Sequence, residues 1–191
     1  QGNVGAALEA RLELCRLLSK HFTVAQDALA IRTNLENTLK EAESDSWWAE
    51  GMAVLAELTM LDESWDSLNK ARQIALKGIE AFPHSQGARH CKSIVGQIEQ
   101  PDYSTNSMES DALNRRSFEV LSKNLDKLYF RAYFLKDPLK YIQGSDSNVI
   151  FPEGDKLDKF IARRKPDVEW SVDLARFEDF RQHRTWVTPP L

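Results

Sequence analysis

The hydrophobic period of this chain changes near Gln100-Pro101, and that change limits what it can fold into. Before it, apolar residues recur every three or four positions, which is the spacing of a helix face. After it they recur every second position, which is the spacing of a strand. The run NLDKLYFRAYFLKDP, Asn124 to Pro138, is the clearest case of the second kind. Leu128, Phe130, Ala132 and Phe134 fall on one side, and Tyr129, Arg131, Tyr133 and Leu135 on the other. Helices followed by strands, without alternation of the two, predict an α+β protein with segregated halves.

The helical half resolves into five segments. Leu8, Leu12, Cys15, Leu18 and Phe22 form one face from Ala6 to about Phe22. Thr23 with Gln26 then reads as a capping box for a second helix faced by Val24, Ala28, Ile31, Leu35 and Leu39. A third helix starts after Ser46 and carries Trp48, Met52, Leu55 and Leu58. A fourth carries Leu68, Ala71, Ala75, Gly78 and Phe82 and stops at Pro83. Ser85 is placed to cap a fifth, with Ala88, Cys91, Val95 and Ile98 inward. The connections are short, so neighbouring helices are expected to run antiparallel.

Small residues at Ala71, Ala75 and Gly78 with Pro83 beyond them resemble the second helix of a tetratricopeptide (TPR) repeat, where small side chains allow close helix approach. The preceding helix lacks that repeat's usual Gly-Tyr pair, and a plain helical bundle fits the same spacing. Residues 1–100 are therefore expected to form a TPR-like antiparallel helical domain.

The stretch 101–114 is rich in Ser, Thr, Asn and Asp and reads as a linker or a solvated first sheet edge. From 115 to 191, four alternating segments follow: Phe118 and Val120; Leu128 to Phe134; Val168, Trp170, Val172 and Leu174; His183, Thr185 and Val187. Strands with one buried face suggest an antiparallel sandwich. Asp137 to Pro166 is too long for a hairpin turn, and Leu157, Phe160 and Ile161 predict a short helical insertion at about 153–165.

Three runs carry a family resemblance: FPHSQGARHCKSIVGQIEQP, RRSFEVLSKNLDKLYFRAYFL and VEWSVDLARFEDFRQHRTWVTPPL. Together they resemble the N-terminal part of large bacterial alpha-2-macroglobulin-like proteins, in which a helical region precedes the first of many fibronectin-like macroglobulin domains. The resemblance covers most of residues 70–191. It implies that the β half is an incomplete macroglobulin sandwich and that the chain is a fragment. Opening on Gln1 instead of Met fits a processed or excised segment, and relatives continue past the Pro-Pro-Leu end into a further strand. It also implies a parent that is a protease inhibitor of the cell envelope, periplasmic or extracellular, with lipid anchoring open. A parent of this kind is cut in a bait region and then changes shape around the protease.

The family's reactive device is a thioester within Cys-x-Glu-Gln. Cys15 is followed by Arg-Leu-Leu and Cys91 by Lys-Ser-Ile, so neither can form it. Both cysteines lie on apolar faces and read as inert thiols. His84, His90 and Cys91 are the nearest approach to a metal cluster. His84 lies outside the helix, and adjacent side chains point apart, so no closed ligand set is expected. Glu41-Glu43-Asp45, Asp62-Glu63 and the basic run Arg163-Arg164-Lys165 read as solvated helix ends, and His183 as a surface or seam residue. No phosphate loop or hydrolase motif is present. The chain is expected to be no enzyme, with no catalytic, cofactor, metal or thioester residue.

The remaining candidate is Trp47-Trp48, an adjacent pair suited to partner contact, with one ring toward the core and the other a partly exposed cap. With 42% hydrophobic and 28% charged residues, net charge −4 and pI ≈ 5.6, the chain offers no basic field for nucleic acid. No apolar run approaches the roughly 20 residues of a transmembrane helix. The expected partners are proteins: proteases, reached through the parent. Missing strands are expected to leave an unpaired sheet edge, with apolar surface uncovered around Trp170, Trp186 and Val187. The edge is expected to be covered by strand pairing with a second copy or by the chain's own tail or the Asp137–Pro166 insertion. The rival reading is a helical-repeat adaptor that binds a peptide or protein.

Overall fold

The computed structural model describes residues 4–107, 117–134 and 154–190. The protein is a mixed α+β structure. Five helices come first: α1 (Val4–His21), α2 (Ala25–Glu41), α3 (Trp48–Met60), α4 (Ser67–Ala81) and α5 (Gln86–Glu99). Short strands follow, β1 (Asp102–Ser107), β2 (Phe118–Lys123), β3 (Lys127–Ala132), β4 (Val168–Asp173) and β5 (His183–Val187), with α6 (Asp155–Ala162) between β3 and β4. Two compact units result. The described residues up to Tyr103, with Ser122–Asn124 and Phe177–His183, form the first; the other described residues form the second.

α3 is the hub of the helical unit, touching α1, α2, α4 and α5. It is buried on nearly every side, from Ala49 through Met52, Val54 and Leu55 to Ala56, as expected of a helix that is apolar all round. Leu8, Leu12 and Cys15 of α1, and Leu35 and Leu39 of α2, complete the core on one side of it; Ala71, Ala75, Cys91, Ile94 and Ile98 complete it on the other. The small face expected on α4 is a close-approach surface. A Cβ on Gly78 would lie 2.7 Å from Cys91 Sγ and 3.0 Å from Met52 Cβ. Contact is closer still at Gly87 of α5, where a Cβ would stand 2.1 Å from the backbone nitrogen of Glu50.

Helix ends follow the sequence signals in part. Ser85 caps α5 as read, its Oγ accepting from the Ala88 N–H at 3.0 Å. The capping box at Thr23 and Gln26 does not form: Val24 is the N-cap of α2, with no side-chain cap bond. Phe22, read as the last core residue of the first helix, is 49% exposed, and so is every residue from His21 to Ala30. The α1–α2 turn extends past the end of the core, so no burial draws those side chains inward.

Of the 101–114 segment, residues 102–107 form β1, exposed at all six positions; 108–114 lie outside the described residues, as do Leu135, read on a strand, and 137–153 of the expected insertion. Strand order is β1-β2-β5 in one sheet and β3-β4 in the other. β3 and β4 are antiparallel, with Phe130 opposite Trp170 and Leu128 opposite Val172. Both alternate in exposure along their length, as the sequence spacing requires. Within the second unit, Phe118 of β2 meets the Phe130 ring edge-on at 5.4 Å, and Phe130 stacks on Trp170 at 5.1 Å. Among the described residues of that unit, Val120, Leu174 and Val187 are the buried apolar ones.

Phe177–His183, although flanked by strands, belongs to the helical unit. Phe180 sits at φ 57, an unfavourable conformation for a bulky side chain, and is held there from several directions. Its ring joins the helical core beneath the Arg72 guanidinium, 5.7 Å from the ring centre. Arg181 Nη2 donates to Ser64 O at 2.7 Å and to Ser67 Oγ at 2.9 Å. Asn69 Nδ2 donates to Glu178 O at 2.6 Å. Also within this unit, Asn124 (φ 56) donates to Ile98 O, and Lys123 donates to Gln97 O.

Candidate functional site

The first turns of α3 and α5 meet backbone to backbone because residue 87 is glycine. Beside that contact lies a hollow of about 260 Å³ lined by Ser46, Trp47, Glu50, Ser85, Gln86 and Gly87. Asp45 builds its rim: its Oδ1 accepts from Trp47 N at 2.9 Å, and its carbonyl accepts from Trp48 N at 2.9 Å. This turn separates the roles of the two tryptophans. The Trp48 indole N–H donates to Leu39 O at 3.1 Å and its ring leans on Phe82 at 6.3 Å, so its polar and apolar faces are both engaged internally. Trp47 is half-buried against the core and turns its remaining surface to the hollow.

A charged cluster adjoins the hollow through Glu50. His90 of α5 lies between two carboxylates of α3, with Nδ1 3.0 Å from Glu50 Oε1 and Nε2 3.0 Å from Glu57 Oε1. Arg16 of α1 reaches the same Glu50 oxygen at 2.6 Å and Glu13 at 2.6 Å. Glu50 and Glu57 are seven residues apart, so two turns of α3 present them along one line to α5. Three helices are thereby tied by one mixed-charge network of ion pairs.

Cys91 points the other way, as expected of its neighbour in sequence. Its thiol lies 3.4 Å from Ala49 O and is fully buried. Burial pushes it up to about 12, with the nearby Glu50 charge adding to the effect. Burial also raises Cys15. His84 is exposed. Among the described residues no group of three or more His, Cys, Asp and Glu is arranged to hold a metal ion.

Several residues read as solvated have specific partners. Asp62 pairs with Arg32. Arg164 joins Asp167 at 3.1 Å, bonds to the Phe134 carbonyl and lies over the Tyr133 ring at 5.9 Å. His183 stacks on Phe177 at 3.7 Å and bonds Asp179 at 2.9 Å. Burial alone would raise Asp179, but bonds from His183 and from the Arg181 N–H outweigh it and hold the carboxyl below the usual range. The sequence signal missed altogether was Glu50–His90–Glu57, because nothing in a linear spacing brings residue 90 between residues 50 and 57.

Among the described residues no helix is long and apolar enough to cross a membrane. Compared with protein-family profiles, curated proteins and solved structures, the chain shows no match.

Proposed function

We propose that this chain is an N-terminal scaffold segment of a large alpha-2-macroglobulin-like protease inhibitor, a TPR-like helical unit leading into the start of a macroglobulin-type sandwich. The observation that carries this reading is the ring series Phe118–Phe130–Trp170, by which a strand of one small sheet meets a face of the other. Two antiparallel layers closing on alternate residues are how a sandwich core is built. These rings lie in the same runs that carry the family resemblance. The close approach at Gly78 supports the TPR-like reading of the helices. In this reading protease trapping belongs to the parent in the cell envelope, and this segment contributes shape and a docking arm, without catalysis, thioester or cofactor.

The test uses an endopeptidase panel with one large protein substrate and one small peptide substrate. The segment alone is expected to protect neither. The longer protein that carries it is expected to protect the large substrate and spare cleavage of the small one, because enclosure excludes by size. Stoichiometric protection by the segment alone, or loss of small-peptide cleavage with the parent, refutes the reading.

The hollow at Trp47 favours a second reading, a helical-repeat adaptor that takes a peptide side chain between α3 and α5. Selection from a displayed peptide library, repeated with Trp47→Ala, tests it: a fold-preserving loss of binders supports the adaptor, and identical selections from both proteins exclude it.

A further inference from the structure

α1 has two apolar faces. Leu8, Leu12 and Cys15 face the core and are 4%, 1% and 4% exposed. Away from that face, Ala10, Leu14 and Leu17 follow one another at spacings of four and three, and all three are exposed; Ala7 lies beside Leu8, toward α2. Leu14 and Leu17 are 52% and 54% accessible. Spacing of four and three along one exposed stripe is that of a helix-pair seam, and it sets these leucines apart from the single surface leucines found on most proteins.

We propose that this outward face of α1 is a self-association seam, occupied by α1 of a second copy of this chain lying antiparallel. The choice of occupant rests on charge and on symmetry. With the two-fold axis between Cys15 and Arg16, Leu14 faces Leu17 of the second copy, and Ala10 faces its His21. Glu13, which pairs through Oε1 with Arg16 of its own helix and is still 61% exposed, flanks one edge of the stripe with Lys20, seven residues further on. In the antiparallel register Glu13 meets Lys20 of the second copy, and the symmetry makes that pair twice. A parallel register instead sets Glu13 against Leu18 and Lys20 against Ala25, which pairs no charges. The two leucine layers lie in the middle, and each outer layer sets Ala10 against His21.

The seam is short. A helix of 18 residues is about 27 Å long, which places the interface at the low end of specific ones, near 1,000 Å² in total. The dimer is therefore weak, with a Kd on the order of 10–100 µM.

The experiment is sedimentation equilibrium of this chain from about 5 to 500 µM, a range that spans the expected Kd. Mass is expected to rise from monomer to dimer. Leu14→Lys with Leu17→Lys is expected to abolish the rise and leave the melting temperature at low concentration unchanged, because both side chains are exposed. Glu13→Lys alone and Lys20→Glu alone are each expected to weaken association roughly 3- to 30-fold, the effect of two surface ion pairs, and the double swap to restore it. A monomer at every concentration overturns the proposal. So does a dimer indifferent to Leu14 and Leu17, which would place self-association elsewhere, for instance on a sheet edge. Association that survives the leucine changes but fails to recover in the charge swap overturns the antiparallel register.

Discussion

Gly87→Ala and Gly96→Ala make the same chemical change on the same helix, and the structure gives them opposite signs. Alanine is preferred to glycine within a helix by about 1 kcal/mol, so propensity alone predicts that both variants gain stability. At Gly96 nothing lies within 4 Å of the added Cβ, and the full gain of about 0.5–1 kcal/mol is expected. At Gly87 the added methyl would stand 2.1 Å from Glu50 N, 2.4 Å from Ala49 C and 2.7 Å from Glu50 Cα. Ordinary contact begins at 3.4 Å, so α5 and α3 would have to separate by more than 1 Å. These obstacles are backbone atoms in the buried hub helix and cannot rotate away.

Overpacking of this kind costs about 1–3 kcal/mol and at times more; against rigid backbone the upper end applies. After the propensity gain, Gly87→Ala is expected to be about 2 kcal/mol less stable than the parent chain and about 3 kcal/mol less stable than Gly96→Ala. For a helical unit of this size that is a difference of roughly 10–20 °C in melting temperature. Thermal and urea unfolding followed by circular dichroism at helical wavelengths gives both numbers. Equal stability of the two variants would mean that α3 and α5 do not meet at this glycine, and the hollow beside Trp47 would lose its wall.

Ala75→Leu adds three carbons where the alanine has no exposed surface, and is expected to destabilise by roughly 1–3 kcal/mol; an unchanged unfolding midpoint would place that face in solvent. Cys91 is expected to resist a disulfide-exchange reagent at pH 8 in the folded protein and to react once unfolded, since burial holds its thiol at about 12; rapid modification without unfolding contradicts the assignment. Asp179 binds its proton less readily folded than unfolded, so its contribution is full above the ordinary carboxylate range and is lost as pH falls through the depressed folded value. Asp179→Asn should therefore flatten the loss of stability between neutral and acidic pH, and an acid limb identical to that of the parent chain would show that the His183 and Arg181 bonds do not matter.

Element type was legible because burial in this chain follows periodicity. Leu8, Leu12 and Cys15, or Ala71, Ala75 and Gly78, can be picked out by counting threes and fours, and each is buried where it was expected. The Ser85 cap was legible for a similar reason: a hydroxyl just before a helix has one local task. Thr23 offered the same chemistry and was left unused, since the chain enters α2 one residue later and the exposed turn gives no packing reason to choose between the two starts. α3 was underestimated in a different way. Its helical face was read from Trp48, Met52, Leu55 and Leu58, but Ala49, Ala53 and Ala56 are fully buried as well, because four neighbouring helices enclose it. Periodicity marks the most apolar side of a helix and cannot count the neighbours on the others.

The polar contacts were largely illegible, and for one physical reason. An apolar residue has many acceptable partners, so its class predicts its fate; a hydrogen bond has one partner, and its identity depends on tertiary placement. His90, Glu50 and Glu57 each looked like ordinary surface residues until α3 and α5 were set side by side. The same holds for Phe177–His183. His183 was read in a strand segment and does open β5, but nothing in that segment tied its neighbour Arg181 to the helices. Ser64 and Ser67, at the start of α4, are what recruit Arg181 into the helical unit, and they stand more than a hundred residues away. The polar contacts around Glu50 lie beside the place where Gly87 brings the backbones of α3 and α5 together. Close approach is what creates addressable polar surface in this protein, because it puts helix starts, capping hydroxyls and charged side chains within bonding distance of one another. The Trp47 hollow follows from the same approach as the core contact at Gly87, so a change that loosens α3 from α5 should alter the hollow and the fold together.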